Sequence, residues 1–340
     1  MTSRDPTGDR VECSIPCNLC GSTDASLLSR RSRSGKPLRT VICRQCGLAW
    51  SDPRPHDPRE FYAERYRVDY KGACAPKPKH VLRAGKTALS RFAKIRDRLA
   101  GVRTILDVGT GGGEFAYLLR SLGYDLKGVE PNRGYADYSV AEYGLDVRVG
   151  FVEQCDFAAN AFDLITIWHV LEHTENPGGV LAKLLGWLRP GGVLVVEVPS
   201  IEATCQSPKS TFHEAHLYHF NVASLRRLAE RTGFAEAAHV ISEDGGNLTM
   251  YLHKRPARAG DAAALAIPGN CKRVAAIVRA HTPLRHYLGA APYVRTARRL
   301  ARIISEKREG AGFDHGKAIL DRLYSHLTAA RPAAVKSAAH

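Results

Sequence analysis

The chain has 340 residues, of which 44% are hydrophobic and 24% are charged, and its formal net charge is +15. This composition is that of an ordinary globular protein and excludes wholesale disorder and fibrous repeats. No apolar run approaches the roughly 18 residues of a membrane-spanning helix, and the polar start MTSRDPTGDR lacks the apolar core of a signal peptide. We therefore expect a cytoplasmic protein of two or three domains.

The positive charge is concentrated at the two ends of the chain. Residues 1–100 hold 21 Lys and Arg against 10 Asp and Glu, and residues 250–340 hold 17 against 5. Residues 101–249 instead hold 11 against 19. An acidic middle between basic ends favours an anionic partner bound by the ends over uniform nucleic-acid binding. The alternative is that the basic residues only form solvated surfaces.

Nine cysteines, an odd number in a chain without an export signal, argue against a disulfide framework. Four of them form two CxxC pairs, Cys17 with Cys20 and Cys43 with Cys46, and each pair is followed by glycine. Four thiolates complete the tetrahedral shell of Zn²⁺ and leave no open position. We predict a structural zinc ribbon over residues 13–55; the alternative is reduced, unpaired thiols. Free thiols are expected at the other five cysteines: Cys13, Cys74, Cys155, Cys205 and Cys271.

A basic helical linker is predicted over residues 56–100. Tyr62, Tyr66 and Tyr70 recur at i, i+4 helical spacing, and the Lys- and Arg-rich residues 80–98 predict a further helix. A helix at this place can act as a lid over a bound ligand. Packing of the tyrosine stripe against a core is the favoured alternative.

Residues 101–255 alternate strand and helix patterns. Strands are predicted at residues 104–108, 125–130, 146–149, 162–168 and 193–198, with helices at 114–122, 131–143, 179–188 and 224–231 and a turn at 190–192. Residues 235–241 and 248–253 predict a closing hairpin. Repeated βα units indicate a parallel sheet with helices on both faces.

The first predicted strand ends in a glycine-rich loop, DVGTGGGE, that runs from Asp107 to Glu114. Glycines at this place let the backbone approach a ligand at a helix N-terminus. The dinucleotide pattern G-x-G-x-x-G/A would end on Glu114, whose charge has the wrong sign for a pyrophosphate. The loop fits D-x-G-x-G-x-G, a pattern for a cationic, nucleotide-like ligand without phosphates. Glu130 ends the second strand, where an acidic side chain accepts hydrogen bonds from ribose hydroxyls.

Four motifs, LDVGTGGGEF, VEPN, FDLITIWHVLEHTENP and LRPGGVLVVEVP, carry a family resemblance. Residues 104–199 resemble class I S-adenosylmethionine (SAM)-dependent methyltransferases of the ubiquinone-methyltransferase-like group. With the cysteine pairs and the later HEAHLYHF segment, residues 15–255 are similar to zinc-ribbon methyltransferases of bacterial sugar and glycan pathways. The resemblance implies an α/β fold with a Rossmann-like seven-stranded sheet in a SAM-binding domain over residues 101–255. An N-terminal zinc ribbon would precede this domain and a C-terminal helical extension would follow it.

The resemblance also assigns cofactor-binding residues. The three glycines would line the methionine and ribose portions of SAM, Asp107 would orient the loop, and Glu130 would bind both ribose hydroxyls. The two positions after the third strand, Phe151 and Val152, would hold the adenine ring. Trp168, at the end of the fourth strand, would lie beside the reactive sulfonium. The implied set is Asp107, Gly109, Gly111, Gly113, Glu130, Phe151, Val152 and Trp168.

An alcohol or carbon acceptor needs a base for methyl transfer, so histidines after the parallel strands are candidates. One group is His169, Glu172 and His173; the other is His213, Glu214, His216, Tyr218 and His219. We expect both groups to open on the same sheet edge. His216 is the predicted base, with Glu214 and Tyr218 orienting it or the substrate; His169 is the second candidate, and His219 is predicted to be structural. A metal at His169 and His173 is disfavoured because no third ligand is placed.

Residues 256–340 predict a basic helical C-terminal region. Within it, residues 293–307 (YVRTARRLARIISEK) are amphipathic. Such a helix suits an anionic membrane surface or a pyrophosphate-bearing substrate, but packing on the catalytic domain is the default.

The sequence thus predicts a SAM-dependent methyltransferase with structural zinc and a small anionic or glycan-linked acceptor. The first alternative is an RNA or protein methyltransferase whose ribbon and basic ends bind a macromolecule, although no aromatic RNA-binding module is readable. The second alternative is a non-enzymatic SAM-binding scaffold. A nicotinamide oxidoreductase is disfavoured by Glu114.

Overall fold

The structure, a computed structural model, describes residues 9–54, 76–255, 265–309 and 315–329. The described residues form two compact units: the first comes from residues 1–58 and 167–296, and the second from residues 59–166 and 297–340. Among the described helices, none has the length and apolar character needed to cross a membrane. The predictions for Tyr62, Tyr66, Tyr70 and Cys74 fall outside the described residues.

The described strands are β1 (Arg10–Glu12), β2 (Asp24–Arg31), β3 (Pro37–Cys43), β4 (Ala49–Ser51), β5 (Thr104–Val108), β6 (Asp125–Glu130), β7 (Asp146–Val149), β8 (Phe162–Trp168), β9 (Leu188–Pro199), β10 (Tyr218–His219), β11 (Phe234–Ile241) and β12 (Asn247–Lys254). The described α-helices are α1 (Pro78–Ile95), α2 (Glu114–Ser121), α3 (Arg133–Tyr143), α4 (Pro177–Trp187), α5 (Val222–Arg231), α6 (Asn270–Ala280), α7 (Pro283–Leu288), α8 (Ala291–Glu309) and α9 (Gly316–Ala329).

The first unit contains an antiparallel five-stranded sheet of order β1-β2-β3-β4-β10. Its last strand comes from a distant part of the chain, because Tyr218 pairs with Trp50 and His219 pairs with Ala49. An apolar core contains side chains from β3, β4, α6 and the segment before β10. It comprises Leu38, Ile42, Ala49, Ile201, Phe212, Cys271 and Val274. The histidine-rich HEAHLYHF segment is therefore part of the ribbon sheet.

A second sheet has seven strands in the order β11-β12-β9-β8-β5-β6-β7, and the boundary between the two units falls inside β8, after Thr166. β5, β6 and β7 are parallel. β9, β12 and β11 are antiparallel, so the predicted closing hairpin is confirmed. The mixed sheet confirms the predicted α/β fold class. β9 begins at Leu188, earlier than predicted, and includes residues 190–192, which were expected to form a turn.

The helix that follows β6 begins and ends as its sequence dictates. Asn132 is the N-cap of α3, and its side-chain oxygen accepts a hydrogen bond from the Tyr135 backbone N–H at 3.1 Å. Gly144 ends the helix in the left-handed conformation, at a φ of 66°. These two caps set how far α3 extends and therefore where β7 starts.

In the second unit, α9 packs against α1 and α2. Its Ile319, Leu320 and Tyr324 are buried, and the Tyr324 hydroxyl donates a hydrogen bond to the Glu114 carbonyl oxygen at 3.0 Å. α8 behaves differently, because Leu300 and its apolar neighbours are exposed. The C-terminal helical extension is confirmed. The apolar face of α8 is exposed, while its Glu306 binds Arg83 of α1.

Candidate active site and cysteine cluster

The glycine-rich loop between β5 and α2 has a conformation that requires glycine. Gly109, Gly111 and Gly113 have φ values of 77°, 63° and 91°, in the region that other residues rarely adopt. The backbone N–H groups of Gly109 and Thr110 both donate to the Val129 carbonyl oxygen, at 2.8 and 3.1 Å. The loop is therefore held against the end of β6, with its backbone accessible to closer approach than side chains would permit.

Glu130 fixes the other side of this loop. Its side chain is only 3% exposed. One carboxylate oxygen accepts from the Gly111 N–H at 2.8 Å, and the other accepts from the Asn132 N–H at 3.1 Å. A buried carboxylate at this place suits the hydroxyl pair of a ribose, because carboxylates only accept hydrogen bonds and hydroxyls can donate them.

Asp107, near the end of β5 and directly before the loop, is also buried, with 1% of its surface exposed. Its Oδ1 accepts a hydrogen bond from the Thr166 hydroxyl at 2.7 Å. Burial raises the pKa of Asp107 to about 6, against a lowering by the Thr166 hydrogen bond. Burial disfavours the ionised form of this carboxylate unless a positive charge lies nearby. A cationic ligand would supply that charge.

The predicted adenine positions follow β7. Val152 is buried and begins a short 3₁₀ helix over Val152–Gln154, while Phe151 is half-buried. The Gly150 N–H donates to the Glu130 carbonyl oxygen at 3.0 Å. This hydrogen bond ties the segment that carries Phe151 to Glu130, so the structure brings these predicted cofactor residues together within the second unit.

Trp168 and His169 belong to the first unit. Trp168 is buried at the end of β8, and His169 follows it at a φ of 55°, which is uncommon for a residue other than glycine. The His169 ring lies between two carboxylates: Nδ1 is 3.4 Å from Glu172 Oε1, and Nε2 is 3.3 Å from Glu197 Oε1. Burial lowers the pKa of His169, but Glu172 and Glu197 outweigh it and raise the pKa to about 9. His169 is therefore protonated at neutral pH.

Sequence reasoning missed Glu197. It lies near the C-terminal end of strand β9, in its apolar part, and is 5% exposed. Its Oε2 accepts a hydrogen bond from the Thr249 hydroxyl at 2.6 Å, and its backbone carbonyl accepts from the His169 N–H at 2.8 Å. The single acidic residue in VLVVEV was the signal available, because an ionised side chain in a buried strand requires a partner.

The other four histidines of the two predicted groups form one cluster in the first unit: His173, His213, His216 and His219. The ring of His216 lies 5.0 Å from that of His213 and 4.9 Å from that of His173. Nδ1 of His173 donates to the Ala215 carbonyl oxygen at 2.8 Å, and Nδ1 of His213 accepts from the Ala215 N–H at 2.9 Å. These two hydrogen bonds fix the tautomers of the rings beside His216.

The pKa values of His213, His216 and His219 are shifted in the direction opposite to that of His169. Burial, together with the neighbouring histidines, holds the pKa of His216 well below the ordinary 6.5. Burial likewise lowers the pKa of His213 and of His219 to about 4. The His219 ring lies edge-on to Phe212 at 5.2 Å. His216 is therefore neutral at physiological pH and has an available lone pair.

Glu214 and Tyr218, the predicted orienting residues, have other partners. The Glu214 carboxylate accepts a hydrogen bond from the Ser32 hydroxyl at 2.6 Å and another from Ser34. The Tyr218 hydroxyl accepts from Arg54 Nη2 at 2.8 Å and donates to the Glu175 carbonyl oxygen at 3.2 Å. Both side chains anchor the HEAHLYHF segment to neighbouring segments, and an effect on His216 remains a prediction.

The four cysteines of the two CxxC pairs come together. Their sulfur atoms all lie within 4.8 Å of one another. Cys17 Sγ is 3.5 Å from Cys46 Sγ, and Cys20 Sγ is 3.4 Å from Cys43 Sγ. A tetrahedral zinc ion with Zn–S bonds of about 2.3 Å separates its sulfurs by about 3.8 Å, close to these distances. The thiol set thus fits a tetrahedral ion.

Two glycine turns and a distant asparagine support the cluster. The N–H groups of Gly21 and Gly47 donate to the carbonyl oxygens of Cys17 and Cys43, at 2.8 and 2.9 Å. Asn270 Nδ2 donates to the Cys46 carbonyl oxygen at 2.9 Å. The buried Cys13 does not belong to the cluster, and burial together with Asp52 raises its pKa to about 11, as suits a free thiol.

Comparison with protein families identifies residues 79–239 as a methyltransferase domain. A ubiquinone biosynthesis O-methyltransferase of Caulobacter vibrioides is 33% identical over 141 residues, which are 38% of this chain and 56% of that protein. A namesake from Burkholderia orbicola is 33% identical over 100 residues, which are 28% of this chain and 43% of that protein. The chain thus spans about half the length of these relatives.

Solved structures of methyltransferases are also similar. The 1,6-didemethyltoxoflavin-N1-methyltransferase of Burkholderia thailandensis is 18% identical, with 63% of this chain and 98% of that chain covered and a TM-score of 0.43. A possible histamine N-methyltransferase of Thermotoga maritima is 20% identical, with 58% and 98% covered and a TM-score of 0.43.

The family assignment depends on the domain match and on the sequence relatives rather than on these distant structures. The matched residues include the glycine-rich loop, Glu130 and the histidine cluster around His216. Residues 79–239 of this chain therefore form a methyltransferase domain.

Proposed function

We propose that the protein transfers a methyl group from SAM to a small-molecule acceptor. The observation that carries this proposal is the pair of buried carboxylates, Asp107 and Glu130, at the two sides of the glycine-rich loop. Two buried acidic groups beside an open backbone loop suit a ligand that is cationic and bears ribose hydroxyls. The methyltransferase domain match supports the same ligand.

The residues of the second unit fit SAM, which when bound supplies a methyl group activated on a cationic sulfur. Gly109, Gly111 and Gly113 would line its methionine and ribose portions, and Glu130 would accept from its ribose hydroxyls. Asp107 would offset its positive charge. Phe151 and Val152 would enclose the adenine.

A nicotinamide dinucleotide fits the loop poorly. Glu114 is 7% exposed in the first turn of α2, and its carboxylate lies over Gly112, where an added Cβ would be 2.7 Å from Oε1. A pyrophosphate at this helix N-terminus would be repelled by that negative charge.

We assign a small anionic or glycan-linked acceptor, as the resemblance to glycan-pathway methyltransferases implies. The basic chain ends and the protonated His169 support an anionic acceptor. RNA or protein methylation remains the alternative, and it would make binding fall steeply with salt concentration. The four ribbon thiols would have to stay reduced to bind metal, which favours the cytoplasm as the site of action.

Within this function His216 would act as the general base and His169 as a fixed cation. A base must be unprotonated at the working pH, and the lowered pKa of His216 keeps its ring neutral. The charges of Glu172 and Glu197 stabilise the protonated form of His169, so this ring cannot accept a further proton at neutral pH. In acid–base active sites, two neighbouring titratable groups commonly have pKa values that their environments shift in opposite directions.

The first test concerns cofactor binding. Glu130→Ala removes the proposed ribose contact and should weaken SAM binding by about 1.5–3 kcal/mol, the typical value for hydrogen bonds to a charged group. Titration calorimetry with SAM, its demethylated product and NAD measures this, and wild type should bind the first two but not NAD. Asp125→Ala, at the exposed opposite end of β6, is the matched control. Unchanged SAM affinity in folded Glu130→Ala protein would contradict the assignment.

The second test separates stability from binding at Asp107. The pKa of about 6 lies above the ordinary 3.8, so the stabilising contribution of Asp107 is complete below about pH 4 and is lost as the pH rises through 6. Asp107→Asn should therefore raise the free energy of unfolding by about 3 kcal/mol at neutral pH, and not at pH 4. The same variant should weaken SAM binding. Thermal melts and calorimetry of Asp107→Asn and of the exposed control Asp125→Asn measure both effects; lower stability at neutral pH would refute the argument.

The third test concerns the cysteine cluster, which we propose binds structural zinc. Elemental analysis of freshly purified protein should find one zinc ion per chain, because four thiolates complete its shell. Cys20→Ser should lower the zinc content and the melting temperature. Cys205→Ser, a half-buried cysteine outside the cluster, should change neither. Wild-type protein without zinc, or full zinc in Cys20→Ser, would exclude the site.

The fourth test concerns the base. His216→Ala should keep SAM affinity and lower turnover by at least about 10²-fold, the usual contribution of a general base. Release of demethylated SAM is measured with a panel of small anionic acceptors and nucleotide sugars. Wild-type turnover should stay level from about pH 8 to about pH 6, because the lowered pKa of His216 keeps it neutral there.

His219→Ala is the comparison variant for the base, since it should lose stability through its contact with Phe212 rather than activity alone. If turnover follows His169 and ignores His216, the base lies after β8.

The ligand atoms of Glu172, His173 and His216 lie within 4.8 Å of one another, a set that could hold a metal ion. A strict requirement for a divalent cation that His216→Ala abolishes would therefore make His216 a metal ligand and overturn its role as base.

A further inference from the structure

Helix α8 is amphipathic, yet it contacts α1 through its acidic side chains. Arg83 of α1 binds Glu306 through Nη2 and Oε2 at 2.5 Å, and Lys86 binds Glu309 at 2.6 Å. Glu306 is 4% exposed. Surface helices ordinarily bury their apolar stripe and expose their charges. In α8, by contrast, the acidic Glu306 is buried and the large apolar side chains are exposed.

The apolar stripe of α8 faces away from these ion pairs. Tyr293, Leu300 and Ile304 are spaced at i, i+7 and i+11, which places them on one face of the helix. They are 63%, 57% and 55% exposed. Of the twelve exposed large apolar side chains among the described residues, eight lie between positions 284 and 304. Such a concentration marks a surface that binds something.

The exposed charges in the middle of α8 are positive. Both acidic residues of α8, Glu306 and Glu309, are occupied by Arg83 and Lys86. Arg298 and Arg299 are exposed and have no ion-pair partner within the described ranges. A second copy of the same face would oppose like charges, which disfavours self-association through α8. The stripe also distinguishes α8 from a nucleic-acid contact, which would need the arginines but not the leucine and isoleucines.

We propose that α8 lies on the surface of an anionic lipid bilayer, with its apolar stripe in the interface and its arginines at the headgroups. A helix with Leu, Ile and Tyr on one face and Arg on the other has the character of an interfacial helix. Anionic lipids attract basic residues near the surface at about 1 kcal/mol each, or about fivefold in affinity. Bound in this way, the protein would have access to an acceptor that is dissolved in the membrane or anchored to it.

Sedimentation of the full-length protein with vesicles tests the proposal. Vesicles of equal parts phosphatidylglycerol and phosphatidylcholine should bind the protein, and vesicles of phosphatidylcholine alone should bind it more weakly. Leu300→Glu with Ile304→Glu should lower binding to the anionic vesicles at least tenfold, because two apolar side chains leave the interface and two negative charges enter it. Arg298→Gln with Arg299→Gln should lower it by about 25-fold, or about fivefold for each arginine.

The matched control is Val240→Glu with Ile241→Glu, which makes the same kind of change at two exposed apolar positions of β11. This control should bind vesicles like wild type, and both glutamate pairs should keep SAM affinity. Vesicle binding that the α8 variants leave unchanged, or no binding at all, would overturn the proposal. So would sedimentation of a dimer that Leu300→Glu with Ile304→Glu dissociates, or RNA binding without vesicle binding. Loss of SAM binding in wild type would instead contradict the proposed function.

Discussion

The cofactor half of this protein depends on the burial of the Glu130 carboxylate between two backbone N–H groups. A buried charge is unfavourable unless it is hydrogen-bonded, and Gly111 and Asn132 supply that compensation from the two segments that Glu130 joins. The N–H of Gly111 can point at the carboxylate because the loop adopts positive φ angles that only glycine adopts readily. The same hydrogen bonds hold the loop open, so the group proposed to bind ribose also builds the site that it serves.

The histidine-bearing half depends on the cysteine ribbon. β10 extends the ribbon sheet by pairing with β4, and this pairing positions the segment that contains His213, His216 and His219. Arg54, Ser32 and Ser34 then hold the side chains of Tyr218 and Glu214 in the same segment. A structural metal in the ribbon would therefore stabilise the proposed catalytic segment without taking part in the chemistry. This arrangement gives a physical reason for the two features to occur in one chain.

Charge is distributed unevenly at two scales. Along the chain, basic ends flank an acidic middle, and in the first unit a protonated histidine lies near a cluster of neutral ones. The acidic middle contains the carboxylates that suit a cationic cofactor. In α8 the acidic side chains are bound to basic residues of α1, so the outward charge of that helix is positive. Each of these arrangements is a local balance between burial and pairing rather than a property of the net charge.

The sequence by itself determined the α/β fold class, the strands from β5 to β8, the closing hairpin and the pairing of cysteines into one cluster. These features depend on local periodicity and on fixed spacings, which adjacent residues define. Only the tertiary structure decided how β10 joins the ribbon, that Glu197 faces His169, and that Glu214 and Tyr218 bind other partners than His216. It also decided that α8 turns Glu306 towards α1 and leaves its large apolar side chains exposed. These features depend on contacts between segments far apart in the chain, where burial and the position of neighbouring charges, rather than residue type, set the pKa and the exposed face.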